Sequence, residues 1–246
     1  MRGIFITGTD TNVGKTVVSA AVMLRYRHEV LLRYWKPVQT GIEHDDDTRE
    51  AARLACRQGP PYTDEIFDCG IRLPGPLSPH LAARRAGMRI TVQSLVEKLH
   101  SADLKTRAAH PSQAVRPTPP DTARSSARWV VEGAGGALVP LNERETMADL
   151  MQALDLPVLI AARSALGTIN HTCMTIEVLR RRRLRVAGVM MVGEPNDENR
   201  LAIERYGAVE VLGQMPWFDP LTPEVLDAWV RTEFDRAGVL FVGALR

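Results

Sequence analysis

Near its N-terminus the chain has the sequence Ile4-Phe5-Ile6-Thr7-Gly8-Thr9-Asp10-Thr11-Asn12-Val13-Gly14-Lys15-Thr16, in which an apolar run typical of a strand enters a short loop ending in Gly-Lys-Thr. A helical pattern of apolar residues follows from Val17 to Leu24. A strand that turns into a helix in this way directs backbone N–H groups and the positive helix end at one point, which suits a polyphosphate. The pattern predicts a phosphate-binding loop in which Lys15 reaches the β- and γ-phosphates and the Thr16 hydroxyl binds Mg²⁺.

The loop departs from the usual spacing of such loops. Thr9 stands where the pattern G-x-x-x-x-G-K-[ST] has its first glycine, and Gly8 lies one residue earlier. An ordinary strand-to-helix turn that contains Gly-Lys-Thr is the alternative. The strand before the loop and the helix pattern after it favour a variant phosphate loop.

Length and charge limit the class of protein. The chain has 246 residues and a formal net charge of +2, so we expect one sizeable α/β domain over residues 1–246 and no nucleic-acid partner. A basic run at residues 180–185 is the exception. Because no aromatic residues are interleaved with it and cations stabilise helix C-termini, a solvated helix end is favoured over nucleic-acid binding.

The cysteines indicate neither a disulfide framework nor a zinc site. Cys56, Cys69 and Cys173 are odd in number, widely separated and in no C-x-x-C pair. A reducing compartment fits this pattern. The sequence shows no basic-then-apolar leader and no apolar run of the roughly 18 residues that a membrane span needs, so we expect a cytoplasmic protein that does not enter a membrane.

Apolar strand patterns alternate with helical patterns along the chain, which predicts an α/β fold with a mostly parallel sheet covered by helices. The predicted strands lie at residues 3–7, 30–36, 129–132, 157–162, 186–192 and 209–213. The predicted helices follow the phosphate loop and then lie at residues 48–55, 91–100, 147–154, 169–182 and 198–206. Between them, residues 101–128 are rich in proline, serine, threonine and arginine, so we expect a surface insertion within one domain.

The carboxyl ends of the second and third predicted strands present charged residues, and ligands of a parallel sheet gather at such ends. Lys36 is a candidate second cation for a phosphate, although a lysine at a strand end is ordinarily a solvated surface residue. The acidic cluster at residues 44–48 opens a helix, for which Asp47 or Thr48 suits the N-cap, and one of its aspartates is a candidate Mg²⁺ ligand. Glu132 precedes a glycine-rich segment that indicates close approach to a ligand, a flexible turn being the alternative.

The fourth predicted strand runs into Gly167-Thr168-Ile169-Asn170-His171 and an apolar-striped helix. A helix N-terminus rich in small polar residues suits a carboxylate or a phosphate. A simple N-cap at Thr168 is the alternative, and His171 has no second histidine at the spacing of metal ligands.

Motifs along nearly the whole chain resemble those of the dethiobiotin synthetase family in order and approximate spacing. They are Gly-Thr-Asp-Thr-x-Val-Gly-Lys-Thr at residues 8–16, Lys36-Pro37-Val38 with Thr40-Gly41, Ser78-Pro79-His80, Glu132-Gly133-Ala134-Gly135-Gly136, and Gly167-Thr168-Ile169-Asn170-His171. The first and fourth motifs together are specific, because general phosphate-loop proteins lack the pairing. The resemblance implies a single-domain P-loop NTPase-like three-layer sandwich with a mostly parallel central sheet, in which residues 101–128 have no assignable counterpart.

The resemblance also implies an activity, that of an ATP- and Mg²⁺-dependent cyclo-ligase of biotin biosynthesis. Its substrate, 7,8-diaminopelargonic acid, reacts with CO₂ to give a carbamate, which ATP phosphorylates. The neighbouring amine then closes the ureido ring with loss of phosphate. This chemistry depends mainly on positioning and on stabilisation of charge.

The site residues carried over from the family fall into overlapping sets. Lys15 and Lys36 are implied to be catalytic, because they would stabilise the charges of the γ-phosphoryl group and the carbamate. The implied Mg²⁺ ligands are Thr16, Asp47 and Glu132, whereas Asp45 and Asp46 are expected to be mainly solvated. The implied nucleotide-binding residues are Asn12, Val13, Gly14, Lys15, Thr16, Val17, Glu132, Gly135 and Pro216. The implied substrate-binding residues are Thr11, Lys36, Thr40, Gly167, Thr168, Ile169 and Asn170, of which the last four come from the partner subunit of a homodimer.

Two other classes of protein are alternatives. A partitioning or positioning ATPase of the same superfamily would act as a nucleotide-switched interaction protein, but its usual loop has an extra lysine near the first glycine, where this chain has Thr9-Asp10. A glutamine amidotransferase of cobalamin synthesis has a similar synthetase half, but it needs a further domain with a catalytic cysteine that 246 residues do not supply.

The expected choice of nucleotide base rests on Val192. Family members that prefer adenine have an asparagine after the fifth strand, and matching residues 188–191 puts Val192 at that place. Valine neither donates nor accepts hydrogen bonds, so we expect GTP or CTP to support the reaction within about tenfold of ATP. The alternative is that Asn196, or the backbone near Pro216-Trp217, contacts the base.

Overall fold

A computed structural model describes residues 1–55, 65–109 and 127–242 of the protein. The strands are β1 (Gly3–Gly8), β2 (Leu32–Trp35), β3 (Val38–Thr40), β4 (Ile66–Phe67), β5 (Ile71–Leu73), β6 (Arg128–Gly136), β7 (Val158–Arg163), β8 (Val186–Val192) and β9 (Val211–Met215). The helices are α1 (Lys15–Tyr26), α2 (Asp47–Ala55), α3 (Pro79–Arg85), α4 (Val92–Ala109), α5 (Met147–Leu154), α6 (Thr168–Arg181), α7 (Asp197–Gly207), α8 (Pro223–Glu233) and α9 (Val239–Val242).

The main sheet has seven strands in the order β4-β2-β6-β1-β7-β8-β9, and each neighbouring pair is parallel. This confirms the predicted α/β class with a mostly parallel central sheet. Because the strands run in one direction, their carboxyl ends meet along one edge, which is where ligands of such sheets bind. The loop after β1 therefore lies between the ends of β6 and β7.

Alternate residues of β1 face two apolar cores on opposite sides of the sheet. Phe5 belongs to the core that includes side chains of α3, α4, α5, α6 and α7. Ile4 and Ile6 belong to the core formed with α1, α2 and α8. Helices therefore cover both faces of the sheet, which gives the expected three-layer sandwich.

A second sheet, in which β3 pairs in parallel with β5, holds the segment that follows Lys36. The sequence did not predict β3, β4 or β5, because each is too short for an alternating pattern. Gly70, just before β5, lies against the backbone of Lys36, and a Cβ atom at residue 70 would be 2.0 Å from the Lys36 carbonyl oxygen. This close approach requires glycine.

Two differences from the predicted elements concern helices. Helices α3, α8 and α9 were not predicted, and α4 continues through Ala109. Residues 101–109 of the expected surface insertion are therefore helical, and the insertion itself stays a prediction. Those residues contain no proline and several good helix formers, which favours continuation of the helix. Residues 110–126 of the expected insertion lie outside the described part of the chain.

The basic run forms the end of α6, as predicted. Arg180 donates hydrogen bonds to the carbonyl oxygens of Gly207 and Ala208, at 2.7 and 2.6 Å, and so satisfies the C-terminus of α7. Arg182 pairs with Asp149 at 2.8 Å. These contacts give Arg180 and Arg182 structural roles.

Two of the three cysteines lie within the described residues. Cys69 and Cys173 are free thiols, whereas Cys56 lies outside the described residues. No described helix is long and apolar enough to cross a membrane. Within the same residues, no group of three or more His, Cys, Asp or Glu side chains is arranged to hold a metal, so a zinc-type centre is absent there.

We expect Gly70→Ala to lower the free energy of unfolding by about 1–3 kcal/mol, because the new methyl group meets the Lys36 carbonyl in a packed region. Gly87→Ala is the matched control: Gly87 faces open space but has φ +67°, so alanine there should cost about 1 kcal/mol through backbone conformation alone. Urea unfolding measures both values. A Gly70→Ala variant no less stable than Gly87→Ala would contradict the packing argument.

Candidate active site

The phosphate loop joins β1 to α1, and its geometry explains the unusual spacing. Thr9 donates its backbone N–H to the Ala161 carbonyl at 3.0 Å, so residue 9 still belongs to the sheet edge. The residue that requires glycine is Gly8, where a Cβ atom would lie 2.5 Å from the Asp10 carbonyl oxygen. Gly14 has φ 85° and immediately precedes α1. The shifted first glycine is therefore a structural requirement of this loop.

Lys15 begins α1 and folds back over the loop. Its Nζ donates a hydrogen bond to the Asp10 carbonyl oxygen at 2.9 Å, and the side chain is buried. Burial, and then the nearby charge of Lys36, lower the pKa of Lys15 to about 8. An anion placed at the loop would relieve this penalty, which makes Lys15 a ready partner for phosphate.

Arg163, the last residue of β7, reaches the tip of the same loop. Its guanidinium lies 2.6 Å from Asp10 Oδ2, and Asp10 Oδ1 accepts the Thr11 backbone N–H at 2.7 Å. The Thr11 hydrogen bond, followed by the charge of Arg163, keeps the pKa of Asp10 below its usual value. Asp10 and Arg163 thus hold the segment that precedes the proposed substrate contact at Thr11.

Glu132 is fully buried on β6, where its partner in β1 is Ile6. Four donors, from α1, β2 and the residue just after β2, surround its carboxylate: Thr16 Oγ1 at 3.0 Å, Ser19 Oγ at 2.9 Å, Tyr34 OH at 2.9 Å and Lys36 Nζ at 2.6 Å. A buried carboxylate is costly unless it is paired and hydrogen-bonded, and here it is both. Burial and the adjacent Glu132 charge raise the pKa of Tyr34 well above its usual value, so the phenol remains a donor.

Lys36 lies between two carboxylates. Its Nζ is 2.6 Å from Glu132 Oε1 and 2.6 Å from Asp47 Oδ2, and it donates to the Gly133 carbonyl at 3.2 Å. Burial opposes its charge, but Glu132 and Asp47 more than offset that effect, so the pKa of Lys36 lies above its usual value. Lys36 therefore stays cationic at neutral pH. Because it is buried, the alternative of a solvated surface lysine is wrong.

Asp47 is the first residue of α2 and faces the loop. Its Oδ1 accepts a hydrogen bond from Thr16 Oγ1 at 3.1 Å. Burial raises the pKa of Asp47, but Lys36 and Thr16 outweigh burial and hold that pKa below its usual value. The oxygens of Thr16, Asp47 and Glu132 thus lie together beside the phosphate loop, and their role as Mg²⁺ ligands stays a prediction.

The neighbouring aspartates differ from expectation in one respect. Asp45 is exposed, as predicted. Asp46, predicted to be mainly solvated, instead pairs with Arg72 and accepts the Arg49 backbone N–H at 3.0 Å. Asp46 therefore caps α2, and the predictions that Asp47 or Thr48 is the N-cap are wrong. The unpredicted strand β5 supplies Arg72, which explains why the sequence did not reveal this pair.

The glycines after Glu132 are crowded by the protein itself. A Cβ atom would lie 2.8 Å from Phe5 Cε1 at Gly133 and 2.7 Å from Val139 Cγ2 at Gly135. Packing alone therefore accounts for both glycines, so they are not evidence for close approach of a ligand. A Cβ atom at Gly135 would also lie 3.8 Å from Thr11 Cγ2, so these two predicted site residues are neighbours.

The remaining predicted residues lie around the same edge. Thr40 ends β3 and is half-buried, Asn12 is exposed, and Val13 and Val17 extend from the loop into the core beneath α1. Pro216 directly follows β9. The loop residues and Pro216 thus lie at the carboxyl edge of the main sheet, and Thr40 ends a strand of the second sheet; their individual roles stay predictions.

The segment from Gly167 to Asn170 follows β7, and β1 separates β7 from β6, the strand that carries Glu132. Gly167, with φ 90°, occupies the N-cap position of α6, so the alternative that Thr168 is the N-cap is wrong. Thr168 is buried and lies 3.4 Å from Thr172, oxygen to oxygen. Asn170 is exposed, and the preceding Leu166 is 99% exposed.

Val192 lies at the end of β8, next to the phosphate loop. Its side chain is only 3% exposed, and a Cβ atom on Gly14 would lie 3.1 Å from Val192 Cγ1. The valine thus packs against the loop and offers no hydrogen bond to a nucleotide base. The expectation of relaxed base choice stays a prediction. Asn196, the alternative, caps α7 by accepting the Asn199 backbone N–H at 2.8 Å.

Several known proteins have sequences similar to that of this chain. The "ATP-dependent dethiobiotin synthetase BioD" of Paramagnetospirillum magneticum (strain ATCC 700264 / AMB-1) is 46% identical over 215 residues, which cover 87% of this chain and 88% of that protein. The chain belongs to the dethiobiotin synthetase family. The protein of the same name from Brucella ovis is 40% identical over 91% of this chain and 90% of its own length. The "Biotin biosynthesis bifunctional protein BioCD" of Bordetella avium is 42% identical over 93% of this chain and 42% of its own length.

Wider comparisons agree on the fold. A family model described as an AAA domain matches residues 2–225. A ParA family ATPase from Chlorobium tepidum has a TM-score of 0.52 and 9% identity, covering 100% of this chain and 98% of its own. A chain of the MinC:MinD cell division complex from Aquifex aeolicus has a TM-score of 0.52 and 14% identity, covering 100% and 95%. At these identities the likeness concerns the P-loop NTPase-like fold alone.

Sequence reasoning on this dethiobiotin synthetase family member did not assign a role to Ser19, Tyr34, Arg72 or Arg163. Ser19 and Tyr34 stand among the apolar residues of α1 and β2. A single polar residue in such a run does not by itself indicate a functional role. Arg163 had one available signal: it ends β7, and strand ends at this edge form ligand sites.

We expect nucleotide binding to this family member to take up a proton above about pH 8. Free Lys15, with its pKa lowered to about 8, loses its proton as pH rises through that value, and bound phosphates restore its charge. Titration calorimetry with ADP at pH 9, in buffers of different ionisation enthalpy, measures the uptake. Lys15→Arg should abolish it, because a guanidinium stays charged. Equal uptake by both proteins would contradict the assignment.

Proposed function

We propose that this protein forms dethiobiotin from 7,8-diaminopelargonic acid, CO₂ and ATP as an ATP-dependent ligase of biotin biosynthesis. The observation that supports this best is the cluster of Lys15, Thr16, Lys36, Asp47 and Glu132 around the phosphate loop, in a chain of the dethiobiotin synthetase family. The cluster offers two cations and two carboxylates at one point. A reaction that gathers a triphosphate and a carbamate needs charges of this kind.

The reaction has three steps. One substrate amine adds to CO₂ and loses a proton, which gives a carbamate. A carbamate oxygen then attacks the γ-phosphorus of ATP, and ADP leaves. Finally the second amine attacks the carbamoyl carbon and loses a proton, so that the ureido ring closes and inorganic phosphate leaves. The protein's main contribution is to hold the two anions together and in line.

Lys36 acts as a fixed positive charge in this scheme. Since its pKa lies above the usual value, it cannot serve as a general base near neutral pH. An ammonium group beside Glu132 and Asp47 can instead stabilise negative charge that develops during phosphoryl transfer. Lys15, from the phosphate loop, would bind the β- and γ-phosphates.

The oxygen donors beside the loop suit Mg²⁺. Thr16 Oγ1 lies 3.1 Å from Asp47 Oδ1 and 3.0 Å from Glu132 Oε1, and a nucleotide-bound Mg²⁺ takes one or two carboxylates besides phosphate oxygens and water. Thr16, Asp47 and Glu132 would hold the ion. When bound, Mg²⁺ would neutralise charge on the phosphate oxygens.

The substrate is assigned to two groups of residues. Thr11, beside Gly135, and Thr40, at the end of β3, would contact the diamine and carbamate. The α6 N-terminus, from Gly167 to Asn170, would bind the distal carboxylate, because backbone N–H groups and the helix dipole favour an anion there. We assign this segment to the site of a partner subunit in a homodimer, as the family resemblance implies.

The proposed function also fits the expected compartment and the expected single domain. Free thiols at Cys69 and Cys173 fit a reducing cytoplasm, where ATP is abundant. One sheet shared by two apolar cores, and one family model over residues 2–225, support a single domain. A nucleotide-switched ATPase of the ParA or MinD kind is supported by fold likeness alone.

Product formation tests the proposed reaction. Purified protein is incubated with ATP, Mg²⁺, the diamine and bicarbonate, and ADP and dethiobiotin are quantified together. We expect dethiobiotin in equal amount to ADP, with neither formed when the diamine is omitted. ATP hydrolysis that proceeds equally well without the diamine, with no dethiobiotin, would instead indicate a nucleotide-switched ATPase.

We expect Asp47→Asn to raise the Mg²⁺ concentration for half-maximal turnover by at least about tenfold, because the ion loses an oxygen partner. Asp45→Asn, a matched change two residues away on an exposed side chain, should leave that concentration unchanged within about twofold. Magnesium titrations of dethiobiotin formation measure both. A larger effect at Asp45 than at Asp47 would overturn the choice of aspartate.

Mixing two inactive variants tests the shared site. Lys36→Gln disables the reaction centre, and Asn170→Asp disables the carboxylate segment, because the new negative charge repels the substrate carboxylate. If the two regions of one site come from different subunits, co-expression should restore about a quarter of wild-type activity, since half of the dimers are mixed and each has one intact site. Sites built within one subunit would leave the mixture as inactive as its components.

A further inference from the structure

The two oxygens of the Glu132 carboxylate have different partners. Oε1 faces the phosphate loop, where it accepts from Thr16 Oγ1 at 3.0 Å and from Lys36 Nζ at 2.6 Å. Oε2 faces the interior, where Tyr34 OH and Ser19 Oγ each lie 2.9 Å away. One oxygen is therefore turned towards the proposed metal site, and the other is bound to hydroxyl groups of the core.

The two hydroxyl partners and the carboxylate are fully buried. Tyr34, Ser19 and Glu132 are each 0% exposed. Tyr34 lies on β2, next to β6 in the sheet, and Ser19 lies on the second turn of α1. Ser19 Oγ is also 2.8 Å from the Lys15 carbonyl, so its single proton is shared between two acceptors, whereas Tyr34 OH donates to Glu132. Tyr34 is thus the stronger restraint on Oε2.

We propose that Tyr34, assisted by Ser19, sets the metal selectivity of the site by restricting Glu132 to a single metal-facing oxygen. The inference rests on the proposed Mg²⁺ site. Ca²⁺ takes six to eight oxygens and often binds both oxygens of one carboxylate, whereas Mg²⁺ keeps near-octahedral geometry with several waters. A carboxylate with one committed oxygen therefore suits the smaller ion.

Two-oxygen binding to Ca²⁺ would require Glu132 to turn Oε2 away from Tyr34. The buried phenol would then lose its acceptor, and an unpaired buried donor is costly. Tyr34→Phe removes this penalty while it keeps the ring that fills the core. We therefore classify Tyr34 and Ser19 as positioning residues, which act on the metal through Glu132.

A second buried tyrosine provides a matched control. Tyr26, at the end of α1, donates its hydroxyl to Asp235, and both residues are buried. Tyr26→Phe thus removes the same group from the same kind of acceptor, remote from the residues assigned to metal. Any general effect of deleting a buried phenol on stability should appear in both variants.

The test is the affinity for ADP, measured by titration calorimetry with Mg²⁺ and separately with Ca²⁺. In Tyr34→Phe we expect the ratio of Mg²⁺-supported to Ca²⁺-supported affinity to fall by about tenfold, the scale of one hydrogen bond to a charged group. Ser19→Ala should shift the ratio in the same direction by less, and Tyr26→Phe should leave it unchanged. Ca²⁺ should also inhibit Mg²⁺-supported turnover at lower concentration in Tyr34→Phe.

Each result decides the inference. An unchanged ratio in Tyr34→Phe, with both affinities equally reduced, would show that the hydroxyl only supports the fold and would overturn it. If Tyr34→Phe does not fold, an unchanged ratio in Ser19→Ala overturns it. If the ADP affinity of the wild-type protein does not depend on either ion, both the metal assignment and this inference are wrong. The proposed formation of dethiobiotin is tested separately, by product analysis.

Discussion

The buried negative charge of Glu132 constrains the rest of this site. A carboxylate with no exposed surface is tolerated only when hydrogen bonds and an opposite charge replace water. Those partners come from α1, β2 and the residue just after β2, so the placement of these elements around β6 is tied to one side chain. Lys36 supplies the opposite charge, and its position is in turn fixed by Gly70 behind its backbone.

The same constraint separates the two lysines. Lys15 contacts a neutral carbonyl and its pKa falls, whereas Lys36 contacts two carboxylates and its pKa rises. A bound phosphate would therefore raise the pKa of Lys15 back towards its usual value. Lys36 is a permanent cation where a developing anion would meet it. The two residues are not interchangeable in this account.

The sequence predicted the α/β class, the parallel sheet and the meeting of Thr16, Lys36, Asp47 and Glu132, because motif spacing and strand periodicity are local signals. It did not predict features that depend on packing between distant segments. The hydroxyls of Ser19 and Tyr34 are hidden in apolar patterns, and Asp46 is paired by an arginine from a three-residue strand. The packing of Val192 against Gly14 likewise joins distant segments and has no local signal.

The turnover of Lys36→Gln under saturating substrates tests the central claim most directly. Glutamine keeps a donor for Glu132 but removes the charge, so folding and nucleotide binding can be checked separately through ADP affinity. The account predicts that kcat falls by at least about a hundredfold, the usual scale for loss of a transition-state stabiliser. Lys98→Ala, at an exposed lysine of α4, should leave kcat unchanged. A folded Lys36→Gln variant with near wild-type kcat would contradict the account.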